Sequence, residues 1–208
     1  MKTREAKDTV IVIKDLVQKI GRRTMFDGID LELYRGECLG IFGYRGCGKT
    51  TLLHIAAGVD RFNAGTVQVL GQQVGKSQAY KGRIGLVTQQ ASLFSDLNVI
   101  ENLEFFCTLK RAPQEWMRES ILRLELEDYL KEPLPLLDVG VYQRVALGCA
   151  LLNHPEILIL DEIIRDIDLP SRIIILKVLE EYLAEGNSCL AAFSNIEYVN
   201  YMDRVAWL

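Results

Sequence analysis

A glycine-rich segment constrains the fold of this chain more than any other feature. Residues 43–50 spell Gly-Tyr-Arg-Gly-Cys-Gly-Lys-Thr and fit the pattern G-x-x-x-x-G-K-[ST]. An apolar stretch at 37–42 precedes the segment and an apolar stretch at 49–57 follows it, which predicts a buried strand, a loop and a helix. Glycines let the loop turn its backbone N–H groups inward, and with the helix N-terminus these donors form a phosphate site.

Two side chains of this loop are expected to act on a bound nucleotide. Lys49 would reach the β- and γ-phosphates, and Thr50 would bind Mg²⁺. The predicted phosphate-binding residues are Gly43, Tyr44, Arg45, Gly46, Cys47, Gly48, Lys49, Thr50 and Thr51. A chance glycine-rich turn is the alternative, and the strand and helix on either side disfavour it. The loop by itself distinguishes neither ATP from GTP nor a kinase from a motor.

Two acidic residues follow a second apolar run. Residues 157–160 are continuously apolar, which is typical of a central parallel strand, and Asp161 and Glu162 come directly after them. In proteins with such a phosphate loop, this position lies beside the loop. Asp161 would hold Mg²⁺ through its water shell, and Glu162 would polarise the attacking water. The alternative is a solvated acidic turn, which would be favoured if the phosphate loop were absent.

Strand-like and helix-like patterns alternate along the chain and predict an α/β fold. Short apolar or alternating runs predict further strands at 10–13, 29–33, 66–69, 84–87, 188–193 and 204–207. Helical spacing runs from about 92 to 137 and again at 141–152, and another helix is expected after Pro170. The expected organisation is one domain over 1–208, with a core at about 1–91 and 153–208 and a helical subdomain at about 92–152.

Composition and charge argue against several classes of protein. A formal net charge of −4 over 208 residues disfavours a broad basic surface for nucleic acid. The five cysteines include no C-x-x-C pair, and their odd count favours reduced, buried thiols in a cytosolic protein. The N-terminus lacks the features of a secretory signal, and no apolar stretch reaches the ~18 residues of a membrane span. A role at a membrane would need a partner chain. The sequence stops directly after an apparent strand, which leaves open whether the native chain continues.

The order of motifs resembles that of the ABC ATPase family over nearly the whole chain. Gln89, after Val-Thr, resembles the glutamine that touches Mg²⁺ and couples the site to a transmembrane partner. Residues 143–152 resemble the helix after the family signature, and Asp168 matches the aspartate of the D-loop. Residues 102–106 resemble the start of the helical subdomain in exporter-type members, and residues 203–205 resemble the last strand of the family.

This resemblance implies a specific architecture and set of partners. The fold would be a P-loop ABC ATPase core, a mixed sheet flanked by helices, with an inserted α-helical subdomain. The cofactors would be ATP and Mg²⁺. The partners would be a transmembrane transporter subunit and a second ABC ATPase domain, in a homodimer or a heterodimer. The chain would then lie in the cytoplasm, on the inner face of the cell membrane.

The segment aligned with the family signature departs from it. The family has L-S-G-G-Q, and residues 137–141 here are Leu-Asp-Val-Gly-Val. In a closed dimer the signature serine and glycines meet the γ-phosphate held by the opposite subunit. Asp138 places a carboxylate where the family has a neutral donor, and like charges a few ångströms apart repel by kcal/mol. Val139 adds a branched side chain where close backbone approach is needed.

Three further positions also depart from the family. Asn195, after a serine, stands where the family has the switch histidine, and an amide cannot carry the charge of an imidazole. Ile20 aligns best with the aromatic residue that stacks on adenine, with Val17 as another possibility. The D-loop at 163–168 reads Ile-Ile-Arg-Asp-Ile-Asp rather than P-T-S-A-L-D. Nucleotide binding with weak hydrolysis is therefore expected, with Glu162, Gln89 and Asn195 as the catalytic set.

Three functions are consistent with this pattern. The leading hypothesis is the ATP-binding subunit of an exporter-like ABC transporter, as a degenerate subunit paired with a more complete one. The alternatives are an ATP-binding regulatory module and a non-transport ABC ATPase associated with nucleic acid, and the net acidity counts against the latter. Apolar side chains of the helical segment are expected to help dock a membrane partner or to lie in the core: Phe94, Leu97, Phe105 and Phe106.

Overall fold

The computed structural model describes residues 8–89 and 93–208 of the chain. The strands are β1 (Thr9–Ile20), β2 (Arg23–Tyr34), β3 (Cys38–Phe42), β4 (Ala64–Val69), β5 (Gln72–Gln73), β6 (Ile84–Val87), β7 (Ile157–Asp161), β8 (Ser188–Phe193) and β9 (Arg204–Trp207). The α-helices are α1 (Lys49–Ala56), α2 (Val99–Lys110), α3 (Gln114–Arg123), α4 (Val139–Leu151) and α5 (Leu169–Ala184). Strands alternate with helices, so the predicted α/β class is confirmed.

The central sheet is parallel and has the strand order β6-β7-β8-β3-β9. Its inner strands β3, β7 and β8 are short, fully buried and mostly apolar, because both faces of the sheet are covered there. Leu39, Ile159 and Leu190 pack with α1 and the antiparallel sheet on one face. Leu158 and Leu160 face α4 and α5 on the other. The carboxyl ends of β3, β7 and β8 therefore meet at one edge, where open α/β sheets bind ligands.

A second, antiparallel sheet has the order β2-β1-β4-β5 and covers the side of the core that carries α1. Its first two strands are much longer than the strands predicted at 10–13 and 29–33. Strand β1 passes through Asp15, whose φ is 49°, and the pairing of β1 with β2 shifts register there. These irregularities break the alternation of apolar and polar residues, so the pattern shows only part of each strand.

Helices α2, α3 and α4 lie between β6 and β7, where helical spacing was expected. Asn98 is the N-cap of α2 and forms a capping box with Glu101. The Asn98 side chain accepts from the Glu101 N–H at 3.0 Å, and the Glu101 carboxylate accepts from the Asn98 N–H at 2.8 Å. The proposed subdomain limits of 92 and 152 stay a prediction, and residues 90–92 lie outside the described residues.

Helix α4 begins at Val139, two residues before the predicted start, because Asp138 has extended backbone angles and stands at the N-cap. Only the last three residues of the aligned segment 137–141 therefore belong to the first turn of a helix. Helix α2 is tied to the other end of α4 by Lys110, whose Nζ donates to the Ala150 carbonyl at 2.9 Å. Burial lowers the pKa of Lys110 to about 8.

Candidate nucleotide site

The glycine-rich loop connects β3 to α1, as its sequence predicts. Gly48 is the N-cap of α1 and has a φ of 111°, a conformation that favours glycine. A Cβ atom there would lie 2.8 Å from the Phe26 ring and 2.9 Å from Met25 Cγ, so the backbone itself packs against β2. Arg23, also in β2, donates to the Gly46 carbonyl at 3.3 Å. The antiparallel sheet thus supports the phosphate loop from outside.

Lys49 folds back over the loop that precedes it. Its Nζ donates to the Gly43 carbonyl at 2.9 Å and lies 3.6 Å from Glu162 Oε1. The side chain is only 7% exposed. A buried ammonium is costly unless it is paired, and Glu162 supplies the pairing charge. An anionic phosphate entering the loop would meet a lysine that is already positioned there.

Thr50 and Asp161 meet beside this lysine. The Thr50 hydroxyl donates to Asp161 Oδ2 at 2.6 Å. Asp161 is fully buried, and its Oδ1 has no hydrogen-bond partner among the described residues. Burial raises the pKa of this carboxyl above its ordinary value, an effect that the Thr50 hydrogen bond partly opposes. An orphaned carboxylate oxygen beside a hydroxyl fits Mg²⁺, which prefers oxygen ligands.

Glu162 is held at the end of β7 in an unusual backbone conformation. Its φ is 56°, in the left-handed region that few non-glycine residues adopt, and such residues cluster at active sites. Its carboxylate accepts from the Ser194 N–H at 3.1 Å and from the Ser194 hydroxyl. Ser194 follows β8, the neighbour of β7, so the sheet brings these two residues together. The carboxylate is fixed in place and is 8% exposed.

Most of the predicted site residues line two adjoining cavities at this edge of the sheet. A cavity of about 220 Å³ is lined by Met25, Arg45, Gly46, Gly48, Lys49, Thr50, Thr51, Gln89, Glu162, Arg165 and Ser194. A neighbouring cavity of about 640 Å³ is lined by Gly43, Tyr44, Arg45, Glu162, Arg165, Asp166, Arg172, Ser194, Asn195, Ile196 and Tyr198. Glu162 and the phosphate loop lie between the two cavities.

Three predicted site residues, Cys47, Ile20 and Asn195, either lie outside these cavities or have side chains bonded elsewhere. Cys47 is buried within the loop and lines neither of them. Ile20 ends β1, is 52% exposed and also lines neither cavity, so a contact with the adenine base stays a prediction. Asn195 lines the larger cavity, but its side chain accepts from the Glu197 N–H at 3.0 Å and caps the following 3₁₀ turn.

Four residues around the site were not assigned a role from the sequence. Arg23 and Met25 contact the loop from β2, and Ser194 binds Glu162. Arg165 lines both cavities. The sequence shows a serine before the aligned switch position and an arginine in the loop after the two carboxylates, but it does not show where they lie. The strand order shows that both residues lie near the phosphate loop.

The first turn of α4 presents the altered signature residues to solvent. Asp138 is exposed and makes no side-chain capping bond, and Val139 is 55% exposed. Gly140 is instead buried, and a Cβ atom there would collide with Asp168 Oδ1 and Ser171. Asp168 caps α5 by accepting from the Ser171 N–H at 2.8 Å, and this bond lowers the pKa of the Asp168 carboxyl. The two helix N-termini are thus packed against each other.

Comparison with models of known protein families shows which family this chain belongs to. The model of the ABC transporter family matches residues 26–165, which include the phosphate loop, both carboxylates and the helical segment. The chain belongs to the ABC transporter family. Family membership implies nucleotide binding at the phosphate loop, with Mg²⁺ generally used. It also agrees with the resemblance found from the motif order alone.

Curated relatives of this ABC transporter chain include both import and export proteins. The spermidine/putrescine import ATP-binding protein PotA of Bacteroides fragilis is 32% identical over 176 residues, covering 83% of this chain and 38% of the relative. The sn-glycerol-3-phosphate import ATP-binding protein UgpC of Paracoccus denitrificans is 31% identical over 201 residues, covering 94% and 57%. The Nod factor export ATP-binding protein I of Ralstonia nicotianae is 31% identical over 186 residues, covering 87% and 58%. The chain therefore spans less than two thirds of each relative.

Solved structures of ABC cassettes share this fold. The dimeric cassette MJ0796 bound to ADP and Pi superposes with a TM-score of 0.87 at 24% identity, covering 95% of this chain and 94% of that one. CbiO1 from Clostridium perfringens, part of the transporter complex cbiONQ, has a TM-score of 0.83 at 26% identity, covering 97% and 85%. Among the described residues, no helix is long and apolar enough to cross a membrane.

Proposed function

We propose that this chain is the ATP-binding subunit of an ABC transporter, which binds Mg-ATP and couples nucleotide-driven dimerisation to a membrane partner. One observation carries the proposal. Two contacting pairs, Thr50 with Asp161 and Lys49 with Glu162, lie at the carboxyl edge of the parallel sheet. The relatives named as ATP-binding proteins for import and for export support it, and they leave the direction of transport open.

Each of these side chains has a distinct task when Mg-ATP binds. Lys49 would bind the β- and γ-phosphates in place of the Gly43 carbonyl. Thr50 and Asp161 would hold Mg²⁺, which would supply positive charge to the phosphate oxygens. Glu162 keeps its two bonds from Ser194, and this fixes the carboxylate that orients the attacking water. Gln89 is exposed and lines the smaller of the two cavities. From there it would couple the site to the membrane partner.

Hydrolysis by the isolated chain is proposed to be weak. Asn195 is bonded to Glu197 and offers at most a neutral amide to the γ-phosphate. The exposed Asp138 of a second copy would bring negative charge to a site where negative charge accumulates. Pairing with a more complete ABC subunit would give the Lys49 and Glu162 site an intact signature. A heterodimer of this kind is therefore favoured over a homodimer.

An aromatic cluster on α2 and the segment before it is proposed to dock the transmembrane subunit, which would place the chain on the inner face of the cell membrane. Phe94 and Phe105 are 44% and 41% exposed, and their ring centroids lie 4.5 Å apart, edge to face. Phe106 and Leu97 are partly buried, and the Phe106 ring lies 6.0 Å from that of Phe94 and 5.5 Å from that of Phe105 between centroids. Asn102 fixes this cluster, since its buried amide binds both the N–H and the carbonyl of Phe94. Exposed aromatic rings held rigidly are typical of interface anchors.

The docking proposal predicts that polar substitution of the cluster releases the chain from its membrane partner. The double variant Phe94→Ser with Phe105→Ser is expected to lower the fraction that co-purifies with the transmembrane subunit about tenfold. Each aromatic ring that becomes buried in the interface would contribute ~1 kcal/mol or more to the binding free energy. Leu122→Ser, at an exposed position on α3, is the matched control and should co-purify normally. Unchanged co-purification of the double variant, with ATP binding intact, would argue against this surface.

Calorimetric titration with Mg-ATP tests the nucleotide site itself. Lys49→Ala is expected to weaken binding at least about tenfold, because it removes a charge-assisted contact to the phosphates. Lys76→Ala removes an equal charge from an exposed turn away from the site and should bind like the wild type. Equal affinity of the wild type and Lys49→Ala for Mg-ATP would overturn the assignment.

A further inference from the structure

Lys49 is not the only cation beside the predicted phosphate position. Arg45 and Arg165 line the same cavity as Lys49 and Thr50, and Glu162 is the only carboxylate among the residues that line it. The lining therefore carries three cationic side chains against one anionic side chain. Arg45 belongs to the phosphate loop, but Arg165 comes from the loop after β7 and has no part in the glycine-rich motif.

The backbone around Arg165 turns its side chain toward the two cavities beside the phosphate loop. Glu162 and Asp166 have φ values of 56° and 55°, so left-handed residues flank the turn. The Arg165 N–H donates to the Glu162 carbonyl at 3.0 Å and closes it. Arg165 lines both cavities as a result, on the side where Glu162 and Ser194 lie. Glu162 is the carboxylate expected to orient the attacking water. The terminal phosphate of a bound nucleotide would therefore lie on this side of the site.

The guanidinium of Arg165 is only weakly engaged within the chain. Its Nε donates to Asp166 Oδ2 at 3.0 Å, and this is its one ion pair among the described residues. The two side chains are 39% and 82% exposed, so the pair contributes little and is easily exchanged. A guanidinium also presents further donors in a planar fork that matches phosphate oxygens. A solvated surface arginine is the simpler alternative, but it would not need to border both cavities.

We propose that Arg165 is a ligand of the terminal phosphate, supplied by the same chain that holds the nucleotide. This inference rests on the proposed function, since it assumes that Mg-ATP occupies the phosphate loop. Arg165 would distinguish a nucleoside triphosphate from a diphosphate, because only the triphosphate extends to Glu162. It would also place a permanent positive charge at the γ-phosphate, which the neutral side chain of Asn195 cannot supply.

Separate titrations with Mg-ATP and Mg-ADP test the proposal. Arg165→Gln is expected to bind ATP about fivefold to twentyfold more weakly and ADP within about twofold of the wild type, since one charge-assisted contact to the γ-phosphate is lost. Asp166→Asn removes the competing carboxylate and should raise ATP affinity slightly. Arg118→Gln makes the same charge change at an exposed position on α3 and should alter neither affinity.

The outcomes separate this inference from the proposed function. Unchanged ATP affinity in Arg165→Gln would overturn the inference, as would equal losses for ATP and ADP, because a loop-structuring residue would affect both nucleotides. A loss of ATP affinity in Asp166→Asn matching that in Arg165→Gln would likewise indicate that the ion pair only shapes the loop. Failure of Lys49→Ala to weaken ATP binding would instead defeat the proposed function and this inference with it.

Discussion

Steady-state ATP turnover by the isolated chain is expected to be slower than about 0.1 s⁻¹. A median enzyme turns over at ~10 s⁻¹, and losing one well-placed donor at a transition state costs roughly 10²–10³ in rate. Here the switch position offers the neutral side chain of Asn195, which is bonded to Glu197. The position aligned with the family signature carries Asp138, whose charge would repel the transferring phosphoryl group. A homodimer would carry both defects in each of its sites.

Repair of the altered positions should restore turnover. The triple variant Asp138→Ser, Val139→Gly and Asn195→His is expected to hydrolyse ATP at least about tenfold faster than the wild type. All three side chains are exposed, so the substitutions should fit without disturbing the core. A phosphate-release assay measures the rates, and Glu162→Gln in the repaired background should abolish the gain. Turnover on the order of 1–10³ s⁻¹ by the wild type would show that these positions do not limit hydrolysis. So would a repaired variant that binds ATP but is no faster.

Gly140→Ala is expected to lower the free energy of unfolding by about 2–4 kcal/mol. Overpacking usually costs 1–3 kcal/mol, and more where backbone elements cannot move apart. An added Cβ would lie 2.5 Å from Ser171 Oγ and 2.6 Å from Ser171 Cβ, in addition to its collision with Asp168. Both residues belong to the capped N-terminus of α5, so relief of the clash would require the first turns of α4 and α5 to separate.

Gly148→Ala in the same helix provides the matched control. The added Cβ there would lie 3.1 Å from a Leu124 methyl carbon, a side-chain contact that a small shift relieves. The better helix propensity of alanine offsets the remaining strain, so the free energy of unfolding should change by less than ~1 kcal/mol. Urea denaturation measures both variants. A Gly140→Ala protein as stable as the Gly148→Ala protein would show that the two helix N-termini are not tightly packed.

The sequence predicts the inner strands of the parallel sheet well because they are buried on both faces. The continuous apolar runs at 157–160 and 189–193 are bounded by polar or charged residues, and few alternatives fit such a pattern. The antiparallel sheet was predicted only in part. Its long first strand contains Asp15 in a left-handed conformation and several register shifts, and these features depend on the partner strand rather than on local residue pattern.

The sequence likewise predicts some residues of the candidate site and misses others. Lys49, Thr50, Asp161 and Glu162 could be predicted because each occupies a fixed place relative to a strand end. The role of Arg165 could not, because its direction depends on two left-handed residues that the sequence does not mark with glycine. Sequence alone likewise cannot show that Ser194 binds Glu162, since that contact arises from the adjacency of β7 and β8.

We expect this ABC transporter chain to hold Mg-ATP at Lys49 and to hydrolyse it poorly without a partner. The most direct test is to incubate the pure chain with labelled Mg-ATP, recover the protein by rapid filtration and identify the nucleotide that remains bound. The wild type is expected to retain label mainly as ATP when it is filtered within a few seconds of mixing, and Lys49→Ala is expected to retain little label. Recovery of the label mainly as ADP at that time, or equal retention by Lys49→Ala, would show that the chain hydrolyses ATP readily or holds it elsewhere.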